Sequence, residues 1–140
     1  MPKNMIKYEA YQYSFRRMDS ALKARFFLEA VMIAESILSD RLLSVLAKNN
    51  LLSEKEMKSF SSFSFLVKKS RELPVPFERL AELDGWRVKR NKVAHAIAKS
   101  SPGEPTITTA AFRELAEDAA KQGRNLCDAL KKWSRQKQSR

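Results

Sequence analysis

The sequence predicts an all-α domain, an antiparallel up-and-down bundle of four to five helices. Three observations carry this expectation. Glycine occurs only 3 times and proline 5 times in 140 residues, which leaves little turn material and favours long helices over many short strands. From Asp19 to Asn49, Leu28, Val31, Leu38, Leu42 and Val45 recur at helical spacing, as one face of a helix requires. The breaks, in "NNLLSEKEM", "LPVP" and "SSPGEPT", are short, so consecutive helices must turn back on one another.

Each element follows from local chemistry. Residues 1–18 form a lead-in or a short helix of their own, aromatic and basic between Tyr8 and Arg17. The long helix from Asp19 to Asn49 also carries Phe27, Ala30, Ile33, Ala34 and Ile37 on its flanks. A helix apolar on most sides is packed by several neighbours. Asn49 and Asn50 suit its end. Ser53 and Glu56 then have the spacing of a capping box, which opens a second helix from Glu54 to Arg71. Met57, Phe60, Phe63, Phe65 and Val67 supply its apolar side. Pro74 and Pro76 stop it. A third helix runs from Phe77 to Lys99, with Gly85 inside it as the place for a bend. The last opens at Thr108 or Thr109, with Ile107 placed to staple against Phe112, and continues to Trp133. Residues 19–133 thus make one domain, and 134–140 a basic, disordered tail.

Composition narrows the function. The net charge of +11 favours a polyanionic partner, nucleic acid above all. Glu29, Glu35, Asp40 and Arg41 interrupt the most apolar stretch, Phe26 to Leu46, so no membrane span is expected. The N-terminus lacks the apolar run of a signal peptide, and the cytoplasm is the expected compartment. Cys127 is the single cysteine and His95 the single histidine, too few for a tetrahedral zinc site. There is no glycine-rich phosphate loop. No cofactor and no metal is therefore expected. Cys127 lies at helical spacing from Leu126 and Leu130 and reads as packing rather than as a nucleophile. Trp86 and Trp133 read as core or interface residues.

Two charges stand where apolar residues belong. On the third helix Leu83, Trp86, Val93, Ala94 and Ile97 share one side, and Arg90 falls in their midst. On the long helix Glu35 occupies the centre of the stripe. A charge removed from water costs several kcal/mol unless it is compensated. Each therefore suggests the other as its partner, within the bundle or across a subunit interface. The alternative is that Arg90 packs its stem and keeps its head in water.

His95 lies five residues beyond Arg90, roughly 140° around the helix and about 7.5 Å along it. Asn91 precedes His95 by one turn. "WRVKRNKVAH", on the third helix of a small basic bundle, resembles the HEPN superfamily, whose signature is an arginine, a polar residue and then a histidine. Arg90, Asn91 and His95 match it position by position. The resemblance extends from about Asp19 to Trp133, through the long helix with Glu35, "FSSFSFLVKKS" and the final amphipathic helix.

The resemblance implies a metal-independent endoribonuclease from a toxin–antitoxin or phage-defence setting. It also implies a homodimer in which Arg90 and His95 of both subunits meet in one cleft, and possible control by a cognate antitoxin protein. His95 would be the acid/base catalyst, Arg90 would hold the phosphate, and Asn91 would orient the imidazole or touch phosphate. Glu35 would support Arg90, while Lys92, Lys99 and Arg87 would line the RNA track. One departure bears on biology. A toxin branch of the superfamily has a tyrosine two residues after the histidine, where this chain has Ile97. Two other functions fit the same residues: a non-catalytic helical module that binds nucleic acid or a partner protein, and a nucleotide binder.

Overall fold

The computed structural model describes residues 3–58, 62–96 and 108–138. Within them the chain is an all-α bundle of six α-helices: α1 (Lys3–Lys23), α2 (Phe27–Lys48), α3 (Glu54–Lys58), α4 (Phe63–Lys69), α5 (Leu80–Ala96) and α6 (Thr109–Gln138). A 3₁₀ turn, Ser70–Glu72, follows α4. The four long helices run up and down in order. Lys7 meets Asp40 while Arg17 meets Glu29, so α1 and α2 are antiparallel. Glu82 meets Gln122 while Lys89 meets Asp118, so α5 and α6 are antiparallel.

The packing of α2 explains its apolar breadth. Ala30, Val31, Ala34, Leu38, Leu42 and Leu46 are fully buried, against α6 on one side and α1, α4 and α5 on the others. Trp86 of α5 fills the centre. It is fully buried, donates its indole N–H to the Ala119 carbonyl at 2.8 Å and meets Phe63 edge-on. Gly123 of α6 makes room for it: a Cβ there would lie 2.9 Å from Trp86 Cζ2 and 3.1 Å from Ala34 Cβ. Trp133 packs on Phe77 in the same core.

Several expected boundaries move. The break before the central helix falls at Ala24–Phe26, not at Asp19, and the N-terminal segment is a 21-residue helix that buries Met18 and Ala21. Arg25 turns the chain with φ 64°, a conformation that usually selects glycine or asparagine; nothing in "KARFF" advertises it. The capping box at the next boundary is present: Ser53 N–H donates to Glu56 Oε1 at 2.8 Å, and Glu56 N–H donates to Ser53 Oγ at 3.1 Å. The helix it opens is short. A second start lies at Ser62, whose hydroxyl accepts from the Phe65 N–H at 3.1 Å. A serine that caps competes with continuing a helix, which is why one expected helix becomes two. Met57 is 46% exposed and leaves the core, whereas Phe63 and Val67 enter it; Phe60 lies outside the described residues.

The third expected helix begins at Leu80 and is continuous through Gly85. The loop "SSPGEPT", Ile107 and Lys99 lie outside the described residues. Thr108 caps α6 by accepting from the Ala111 N–H at 3.1 Å. That helix carries on to Gln138, so residues 134–138 of the expected tail are helical. No described helix is long and apolar enough to cross a membrane.

Candidate functional site

The site is assembled on α5, where the spacing of Leu83, Trp86 and Val93 presses one face into the core. Arg90 falls on that face, and α2 answers it. Arg90 Nη2 donates to Glu35 Oε2 at 3.0 Å, and Arg90 Nε lies 2.9 Å from Glu35 Oε1. The Nε–H points off the line of a good hydrogen bond, so the contact at Oε1 is an ion pair rather than a second aligned bond. The two side chains are 18% and 22% exposed. The expected partnership is therefore present, and it forms within one chain.

Asn91 completes the clamp. Its Oδ1 accepts from Arg90 Nη1 at 3.2 Å. Met32 Sδ of α2 accepts a long hydrogen bond from Nη2 at 3.9 Å. Arg90 is thus held on one edge by a carboxylate and on the other by an amide, while Nη1 keeps a second hydrogen to offer. A guanidinium oriented in this way loses little freedom when it grips a phosphate.

Arg90 and Glu35 form part of the wall of a groove of about 640 Å³ between α2, α4 and α5. Ser36, Ser39, Asp40, Ser62 and Phe63 line it too. None of these was expected from the sequence as a site residue, although Ser36, Ser39 and Asp40 are the polar flank of α2 beside Glu35. His95 is exposed on another side of α5 and is not among the lining residues. Arg90 and His95 therefore do not share a cleft within one chain, as the helix geometry anticipates.

The flanking cations separate into two kinds. Arg87 donates from Nε to Asp84 Oδ1 at 3.0 Å and is a quarter exposed; Asp84 also meets Arg71 at 3.6 Å. Much of its charge is spent inside the protein. Lys92 is exposed beside His95. Lys89 turns away to Asp118 and Gln122, at 2.6 and 2.7 Å.

Cys127 is no part of any reactive site. It is fully buried, its thiol donates to the Ala34 carbonyl at 3.5 Å, and burial pushes its ionisation far up. Among the described residues no three His, Cys, Asp or Glu side chains gather as metal ligands would.

Compared with known proteins, the chain matches no family model, no curated protein and no solved structure.

Proposed function

We propose that this protein is a metal-independent endoribonuclease of HEPN type that works as a homodimer. The observation that supports this most is the Arg90 clamp. A half-buried arginine fixed by Glu35 and Asn91 at the rim of a groove is a preorganised oxyanion holder. The +11 charge supplies the attraction for RNA.

RNA brings its own nucleophile. The 2′-OH attacks the adjacent phosphorus, the P–O5′ bond breaks, and a 2′,3′-cyclic phosphate and a 5′-OH remain. His95 accepts the 2′-OH proton and returns a proton to the departing 5′ oxygen. Arg90 neutralises the charge that builds on the phosphoryl oxygens. Because the two residues face different sides of α5, the reading calls for a two-fold pair of chains, in which Arg90 of one works with His95 of the other. A toxin–antitoxin or phage-defence role fits a small basic nuclease of this kind, and its cytoplasmic location and antitoxin partner belong to the same proposal.

The test is cleavage of single-stranded RNA by purified protein with EDTA present, resolved on a gel against His95→Ala. The reading predicts cleavage by the wild type alone, with cyclic phosphate ends and no cleavage of a 2′-deoxy substrate. Equal cleavage of the deoxy substrate, or full activity in His95→Ala, would overturn it.

A further inference from the structure

A second cationic site lies on the far side of α2. Side chains of α1, α2 and α6 enclose a pocket of about 260 Å³ lined by Lys7, Tyr8, Tyr11, Arg41, Lys131, Ser134 and Arg135. Four of these are cations, from segments more than a hundred residues apart in sequence. Asp40 offsets part of that charge. It lies 3.5 Å from Lys7 Nζ and accepts from Arg41 Nη2 at 3.1 Å. Lys7 also donates to Ser44 Oγ at 2.9 Å.

Two features make this more than a basic surface. The Arg41 guanidinium stacks over the Tyr11 ring, 4.6 Å from its centroid, and is only 23% exposed. Lys131 is held over Phe15 at 5.0 Å. The cations are therefore packed in place rather than waving in solvent. Second, the cations converge on one pocket from three helices: Lys7 from α1, Arg41 from α2, and Lys131 and Arg135 from α6.

We propose that this pocket binds a phosphate group, with Arg41 as its principal donor and Lys7, Lys131 and Arg135 as its electrostatic rim. An oxyanion is the ligand that converging cations hold best. Burial pushes the Tyr11 phenol up to about 12, so it brings no opposing charge to the pocket in the physiological range. The phosphate has two possible sources: a small phosphorylated molecule or the backbone of an RNA strand. A shallower cleft of about 190 Å³ shares Lys7 and Tyr11 with the pocket and Ser36 and Asp40 with the Arg90 groove. That cleft lies between the pocket and the groove, in the seam between α1 and α2. Phosphate binding here stands whether or not His95 cleaves RNA.

The test is calorimetric titration of the full chain with pyrophosphate and, separately, with a single-stranded oligoribonucleotide. Arg41→Gln is expected to weaken binding by about tenfold or more, with partial recovery in Arg41→Lys. Lys131→Gln and Arg135→Gln, nearer the surface, guard against loss of fold and are each expected to weaken binding severalfold. Lys55→Gln removes a charge from exposed α3 and is expected to change nothing. Weakening seen with pyrophosphate identifies a small-molecule phosphate site; weakening seen with the oligonucleotide alone identifies a backbone contact. Binding unchanged in Arg41→Gln, equal losses in Lys55→Gln, or no binding of either probe overturns the proposal.

Discussion

Arg90 and Glu35 stand 55 positions apart in sequence and meet at 2.9 to 3.0 Å, each at the centre of an otherwise apolar helix face. This ion pair fastens α5 to α2, and it holds a guanidinium in the wall of the groove. Removing only one partner leaves a half-buried charge without compensation. Glu35→Ala is expected to destabilise the fold by about 1–3 kcal/mol. Arg90→Ala in addition should cost less than the sum of the two single changes. Urea denaturation of the wild type, both single variants and the double variant measures that coupling. A coupling within about 0.5 kcal/mol of zero would show that the pair is incidental.

If Arg90 and His95 act from different subunits, inactive variants should complement each other. Arg90→Ala and His95→Ala proteins, each unable to cleave RNA alone, should regain part of the activity when unfolded together and refolded as mixed dimers. In such a dimer one chain keeps its arginine and the other its histidine. Gel assays of the mixture against each parent give the answer. No recovery, with mixed dimers demonstrated, would confine the two roles to one chain.

The two glycines of the helices should respond in opposite directions. Gly123→Ala drives a methyl group to within 2.9 Å of the Trp86 ring and is expected to cost about 1–3 kcal/mol. At Gly85 nothing lies within 4 Å, and the site is exposed. Gly85→Ala should therefore stabilise by about 0.5–1 kcal/mol through helix propensity alone. Thermal melts of the two variants read the contrast directly.

Tyr11 should govern stability at high pH. Its hydroxyl is neutral in both folded and unfolded chains below the ordinary value of 10, so no effect arises there. Between 10 and about 12 the unfolded chain ionises while the fold keeps the proton. The folded state then binds more protons, and stability falls as pH rises through that window. Tyr11→Phe should flatten this alkaline loss. Absorbance titration should likewise show one of the three tyrosines ionising late.

Cys127 should resist thiol reagents in the native protein and react fully in denaturant. Its burial and its depressed tendency to ionise both withhold the thiolate. Labelling with a chromogenic disulfide, with and without urea, checks this.

The Arg90–Glu35 pair was legible in the sequence because a charge inside a helical stripe contradicts its neighbours, and the contradiction names its own remedy. The Ser53–Glu56 cap was legible for a similar reason, since both halves sit within four residues. The turn at Arg25 was not, because no glycine or asparagine marks its left-handed backbone. Nor was α1 as a full helix: its polar residues conceal how Met18, Ala21 and Phe15 meet the core. The pocket at Tyr11 was beyond reach, since its walls come from both ends of the chain and no local spacing marks them. The placement of His95 away from the groove follows from five residues of helix, which the sequence states outright.

Glu35 and Arg41 share the rigid rod of α2. Six residues of helix separate them, about 9 Å of rise and roughly 240° of turn. No hinge or loop intervenes, so α2 acts as a fixed ruler between the two cationic stations. A ligand that touches both must curl around the rod instead of lying along it. Short oligonucleotides can reach only one station, so affinity should rise in a step once the strand is long enough to wrap.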